Sequence, residues 1–109
     1  MSAPELPACL VMRRLWLPPE RREAYRALVA QLAERRGELL ARVELYEDAR
    51  EGFYLELHLY RDVGAWSAVK EGAAGELSEL LDQRRALVPD DHEEVTVHHG
   101  VIPSGLPGA

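Results

Sequence analysis

Asparagine is absent from this sequence, and cysteine and lysine occur once each, as Cys9 and Lys70. A lone cysteine closes no intramolecular disulfide and supplies no CxxC motif for a metal or redox centre, which agrees with a reducing compartment. Long apolar runs are missing too. None approaches the roughly 20 residues of a membrane-spanning helix, and the Met1–Pro7 start has no basic segment followed by an apolar one, so the expected location is the cytoplasm. Positive charge is in short supply. A net charge of -6 and a pI near 5.2 work against nucleic acid, whose phosphates are held by concentrated Lys and Arg. No glycine-rich anion loop and no G-x-S-x-G elbow occurs, which removes acylphosphatase-like and serine-hydrolase readings. The run Glu51-Gly52-Phe53-Tyr54-Leu55 has the outline of an RNA-binding strand, but an acid stands at its basic position and Leu55 at its second stacking position.

What remains is a chain of 109 residues, 47% hydrophobic and 29% charged, enough for one core and a single domain over 1–109. The ends, 1–7 and 103–109, hold prolines and little to bury and are expected to be mobile tails.

The organising stretch is Gly52 to Asp62. Successive strand side chains point to opposite faces, so Phe53, Leu55, Leu57 and Leu59 share one side and Tyr54, Glu56, His58 and Tyr60 the other. The apolar side is expected on the core and the mixed side towards a partner, a ligand or water. Before it, Ala8–Leu17 reads as a central strand. Pro19 then starts a helix running through Arg36, with Tyr25, Leu28, Val29, Leu32 and Ala33 on one stripe and Gly37 as its stop. Leu39–Glu47 alternates again, and the short polar segment Asp48–Gly52 predicts a hairpin. Matching the pleats would stack Val43 and Leu45 with Leu55 and Leu57 on the core, and set Arg42, Glu44 and Tyr46 beside the mixed face. Asp62 caps a second helical region, which Gly72 and Gly75 are expected to break in two. His92–Ile102 is the last strand. Strand, helix, strand, strand, helix, strand with right-handed crossovers predicts a ferredoxin-like α+β domain: an antiparallel βαββαβ sheet of order 4-1-3-2 with helices on one face.

The uncovered face would then show Tyr46, Tyr54, Tyr60, Leu40, Met12 and Trp16, more apolar area than a monomer leaves in water. Two chains are expected to pack these faces together or to enclose a cavity between them.

At this point, over Ala8 to Ile102, the chain resembles the dimeric α+β barrel superfamily, including the antibiotic-biosynthesis-monooxygenase-like and stress-responsive barrel families. The resemblance rests on element order, element lengths and the Leu-Tyr-Arg-Asp-Val-Gly-Ala-Trp junction from Leu59 to Trp66. It implies a homodimer whose sheets face each other, with a pocket per chain between sheet and helices. Members that degrade haem, and some that oxidise polyketide quinols without a cofactor, use an asparagine beside a tryptophan, and here the missing asparagine counts against both activities. Where many members carry a histidine in the helix after the third strand, this chain offers Lys70 or Glu71.

Among the residues themselves, His58 is the candidate base, against an ordinary histidine bonded to Glu44, Glu56 or Arg42. Tyr46, Tyr54, Tyr60, Trp66 and Arg42 are candidate ligand contacts, against plain interface or core filling. His98 is expected on the same face as His58 but one strand away, and no metal or cofactor is expected. Two functions stay open. One is a homodimer binding a small apolar or aromatic molecule, with cofactor-independent monooxygenase-like chemistry. The other is a non-catalytic structural or stress-related homodimer whose aromatic sheet face is only an interface.

Overall fold

Two prolines divide the first strand from the first helix. β1 (Ala8–Trp16) ends before them, and α1 (Pro19–Glu34) carries Pro19 in its first turn, where the missing N–H would have had no partner. The computed structural model of the chain describes residues 7–35 and 39–102. It continues with β2 (Leu40–Glu47), β3 (Phe53–Tyr60), α2 (Val63–Lys70), α3 (Glu76–Leu87) and β4 (Glu93–Val101). The helix stop expected at Arg36 and Gly37, and the tails apart from Pro7, lie outside the described residues. Asp62 caps α2, its Oδ1 accepting from the Ala65 N–H at 2.7 Å, and the chain breaks between α2 and α3 at Gly72 and Gly75, both at positive φ.

The four strands form one antiparallel sheet of order β2-β3-β1-β4, the expected 4-1-3-2 arrangement of a ferredoxin-like α+β fold. The helices cover one face through two apolar clusters. One gathers Val11, Leu32, Leu40, Tyr60, Trp66, Val69, Leu77, Leu80 and Leu81; the other gathers Leu15, Leu17, Tyr25, Val29, Tyr54 and Val88.

The structure corrects the expected faces. Val43 lies opposite His58 and Leu45 opposite Glu56, while Leu57 meets Glu44 and Leu55 meets Tyr46. Val43 and Leu45 do face the helices, but the side of β3 they share is the mixed one, so Tyr54, Glu56, His58 and Tyr60 are buried and Leu55, Leu57 and Leu59 lie on the open face. The physical reason is parity. The hairpin closes with the Asp48 N–H donating to the Phe53 carbonyl at 2.9 Å, one residue away from the pairing that would stack Val43 on Leu57, and a slip of one residue turns every side chain over. Leu40 also changes sides: the ladder shifts between Leu40 and Arg42, and this irregularity turns Leu40 into the core. His98 pairs with Leu10 on the open face and so does not share a face with His58.

Candidate functional site

Between the two apolar clusters, β1 and β3 place polar residues on the covered face: Arg13 opposite Glu56, and His58 next along β3. Glu56 is the centre. It is fully buried, and three groups from three elements converge on its carboxylate. The Tyr25 hydroxyl, from α1, donates to Oε1; Arg84 Nε, from α3, donates to Oε2 at 2.9 Å; and His58 Nε2–H also donates to Oε2. Glu93, at the start of β4, joins the two arginines, accepting from the Arg84 terminal nitrogen through Oε2 and lying 3.5 Å from Arg13 through Oε1. Such an arrangement makes a buried carboxylate tolerable, because the Glu56 charge is both paired with a guanidinium and hydrogen-bonded on each oxygen.

The electrostatics follow from these contacts. Burial pushes the Glu56 carboxyl up, but the hydrogen bond from His58, the Arg84 guanidinium and the Tyr25 hydroxyl outweigh it and hold it down at about 2. Burial raises Tyr25, and the Glu56 charge raises it further. Tyr60 is pushed up to about 12 by burial, against the opposing pull of Arg13. Burial and the neighbouring Arg84 lower Arg13, whereas Glu56 raises Arg84 despite its burial.

Three buried polar atoms on this patch have no partner among the described residues: His58 Nδ1, Tyr60 OH and Arg13 Nε. The His58 and Tyr60 rings lie 6.3 Å apart, and the Tyr60 and Trp66 rings 5.2 Å apart. An imidazole whose one nitrogen is fixed by a carboxylate keeps its other nitrogen free to accept a proton, a phenol can donate one, and a guanidinium N–H can hold an anionic oxygen. Next to Arg13, Arg84 and Trp66 lies a cavity of about 60 Å³.

Of the residues singled out from sequence, His58, Tyr60 and Trp66 come together here, and Tyr54 packs with Tyr25 at 6.4 Å in the neighbouring cluster. Tyr46 and Arg42 do not join them. Both lie on the open face, Tyr46 donating to Glu44 and Arg42 pairing with Glu44 at 3.2 Å. Tyr25, Arg13, Arg84 and Glu93 were not candidates. The signal for two of them was legible: Arg13 interrupts the apolar run Cys9, Val11, Leu15, and Arg84 falls on the stripe of Leu77, Leu80 and Leu81. Cys9 is buried in the larger cluster, and burial raises its thiol. Among the described residues no group of three or more His, Cys, Asp or Glu side chains is placed to hold a metal ion.

The open face carries the second concave feature, a groove of about 620 Å³. Met12, Trp16, Phe53 and Leu55 form its apolar floor, and Arg50 stacks over Phe53 at 4.3 Å. Its continuation along the sheet is apolar as well, through Leu10, Leu57 and Leu59.

No protein-family profile and no curated protein matches the chain in sequence. Solved structures do match in shape. A Mycobacterium tuberculosis protein aligns with a TM-score of 0.69 at 22% identity, over 90% of this chain and 99% of its own. A Deinococcus radiodurans protein, provisionally named an antibiotic biosynthesis monooxygenase, aligns with a TM-score of 0.66 at 18% identity, over 92% and 99%. One from Nitrosomonas europaea, provisionally named in the same way, aligns with a TM-score of 0.70 at 11% identity, over 95% and 100%. These likenesses, all below 25% identity and each covering 90% or more of both chains, show a shared fold: this chain has the ferredoxin-like α+β fold of solved structures provisionally named antibiotic biosynthesis monooxygenases.

Proposed function

We propose that this chain forms a homodimer that binds a small, largely apolar or aromatic molecule between sheet and helices, and that His58 there removes a proton from it. The observation that carries this reading is His58 itself, anchored through Nε2 on Glu56 and left with a buried, unpartnered Nδ1. A buried polar atom without a partner costs about 1–3 kcal/mol, so a ligand or an ordered water that fills the gap is favoured. A monooxygenase that carries no cofactor needs a substrate electron-rich enough to react with dioxygen, and deprotonation makes one; the name shared by the Deinococcus and Nitrosomonas proteins points the same way. Tyr60 and Trp66 supply aromatic walls. The cavity beside Trp66 is lined by neither His58 nor Tyr60, so in this reading a ligand reaches His58 only when the helical layer opens to admit it.

The test is oxygen uptake with a panel of electron-rich phenols, run beside native mass spectrometry of the protein as purified. Expected are a retained small molecule or turnover, with His58→Gln abolishing turnover while leaving fold and chain number unchanged. No retained mass together with no uptake on any phenol would remove the reading. The open apolar face favours a second one, a non-catalytic homodimer in which only the sheet surfaces matter; in that case the wild type shows no turnover on any phenol and retains no small molecule, and His58→Gln leaves chain number unchanged.

A further inference from the structure

β4 is an outer strand of the sheet, paired with β1 on one side and with no strand on the other among the described residues. Most of it is exposed. α3 reaches its start through the Arg84–Glu93 pair and the larger apolar cluster takes up Val97, but Val95 between them is 44% exposed, and Glu94, Thr96 and His98 are exposed as well. Two hydrogen bonds fix which way its backbone points. The Leu17 N–H donates to the Gly52 carbonyl beside β3 and the Trp16 N–H to the His92 carbonyl beside β4, so odd-numbered residues of β1 face β3 and even-numbered ones face β4. The ladder then turns the N–H and C=O groups of Glu94, Thr96 and His98 towards β1 and those of Glu93, Val95 and Val97 outward. A strand with a Val-Thr-Val centre, no proline and no lysine leaves such an edge open to another strand.

That edge is complementary to itself. A second β4 laid antiparallel must set outward residues against outward residues, so Glu93, Val95 and Val97 can pair only among odd-numbered positions. With Thr96 opposite its own copy, Val95 of each chain meets Val97 of the other, and Glu94 of each meets His98 of the other. Centring on Val95 or Val97 instead sets Glu94 against Thr96 or Gly100 and leaves His98 without an acid. The register shift between Ala8 and Leu10 puts His99 and Gly100 together opposite Cys9, so the straight part of the edge ends at His98 and the Thr96-centred pairing from Glu94 to His98 lies wholly within it.

We infer that β4 is a self-association edge, by which two copies of the chain pair β4 with β4 about Thr96. The two-fold axis stands perpendicular to the sheet, and two four-stranded sheets join side by side with their helices on the same face. This goes beyond the homodimer proposed above, which uses the open face rather than the rim of the sheet. The two associations use different surfaces and together make an assembly of four chains.

Sedimentation equilibrium of the full chain carries the test, in a Leu57→Arg background so that the open face does not contribute. Expected are dimers with a roughly micromolar dissociation constant, as for a small interface. Glu94→Arg sets a guanidinium opposite His98, and His98→Glu sets a carboxylate opposite Glu94; each change occurs twice by symmetry and should weaken association about tenfold or more. Combining the two makes a pair of opposite charges again and should return the affinity to within about threefold of the background. Within one chain these positions stand about 14 Å apart along the strand, so such a rescue arises only between chains. Val95→Pro removes an outward N–H without touching the β1 ladder and should also weaken association about tenfold. A Leu57→Arg chain that is monomeric at every concentration, an association indifferent to Val95→Pro, or a double variant no tighter than the weaker single variant each overturns the inference. Its failure is distinct from that of the proposed function: edge dimers without oxygen uptake on any phenol leave the edge standing, and uptake by the wild type beside a monomeric Leu57→Arg does the reverse.

Discussion

Glu56 holds together residues from three elements, and deleting its charge leaves Tyr25, His58 and Arg84 without their shared acceptor. Its pH response has a definite sign. The folded carboxyl sits at about 2 against an ordinary value of 4.5, so its contribution is complete above about pH 4.5 and is lost as the pH falls from there through about 2. The size is on the order of 3 kcal/mol, because each tenfold change in proton affinity is worth about 1.4 kcal/mol. Urea midpoints at pH 7, 4 and 3 should therefore fall for the wild type. They should start lower and fall less for Glu56→Gln, in which an amide replaces the carboxylate to which Tyr25 and His58 donate. Parallel acid slopes for the two proteins would mean that Glu56 does not carry the effect. At this scale the sequence was half legible. The polar alternation of β3 named His58 and Tyr60 together, but Tyr25 and Arg84, which share the Glu56 carboxylate with His58, arrive from helices whose placement no strand pattern encodes.

At the scale of elements, the β2–β3 hairpin decides which side of β3 is covered, and Gly52 is its constrained point. It sits at φ +86°, its carbonyl accepts from the Leu17 N–H at 2.9 Å, and a Cβ there would lie 2.6 Å from Trp16 Nε1 and 2.6 Å from the Arg22 guanidinium. Gly72 has a similar φ of +73° but open space around it. Gly72→Ala should then cost only the backbone term, roughly 1 kcal/mol. Gly52→Ala should cost about 2–3 kcal/mol, because overpacking against a fixed indole is added. Chemical denaturation of the two variants checks the difference; equal losses would show that the Trp16–Arg22 surround gives way freely. The Pro19 helix start, the Asp62 cap and the break at the glycines all came from local chemistry, and all three appear where the residues put them.

For the whole molecule, the corrected faces make the open side more apolar than Tyr54 and Tyr60 would have. It carries Leu10, Met12, Trp16, Leu55, Leu57 and Leu59 half-buried, with Phe53 and Tyr46 at 36% and 52% exposure. The proposed homodimer uses this face. Leu57→Arg, at a position opposite Met12 and Glu44, should weaken it by about 2–5 kcal/mol, roughly thirtyfold to several thousandfold in dissociation constant. Tyr60→Ala, beneath the helices, should leave association unchanged while destabilising each chain. Sedimentation equilibrium reads both, and a wild type that is monomeric at every concentration would end the proposal.

Alternation and turn chemistry in the sequence determined the elements, their order and which residues share a side of each strand, since these depend on neighbours two to four positions apart. Which side the helices cover was decided only by tertiary structure. The hairpin's pairing and the irregularity after Leu40 set the parity of the ladder, and Tyr25 and Arg84, distant in sequence, supply the hydrogen bonds that let the polar side of β3 be the buried one.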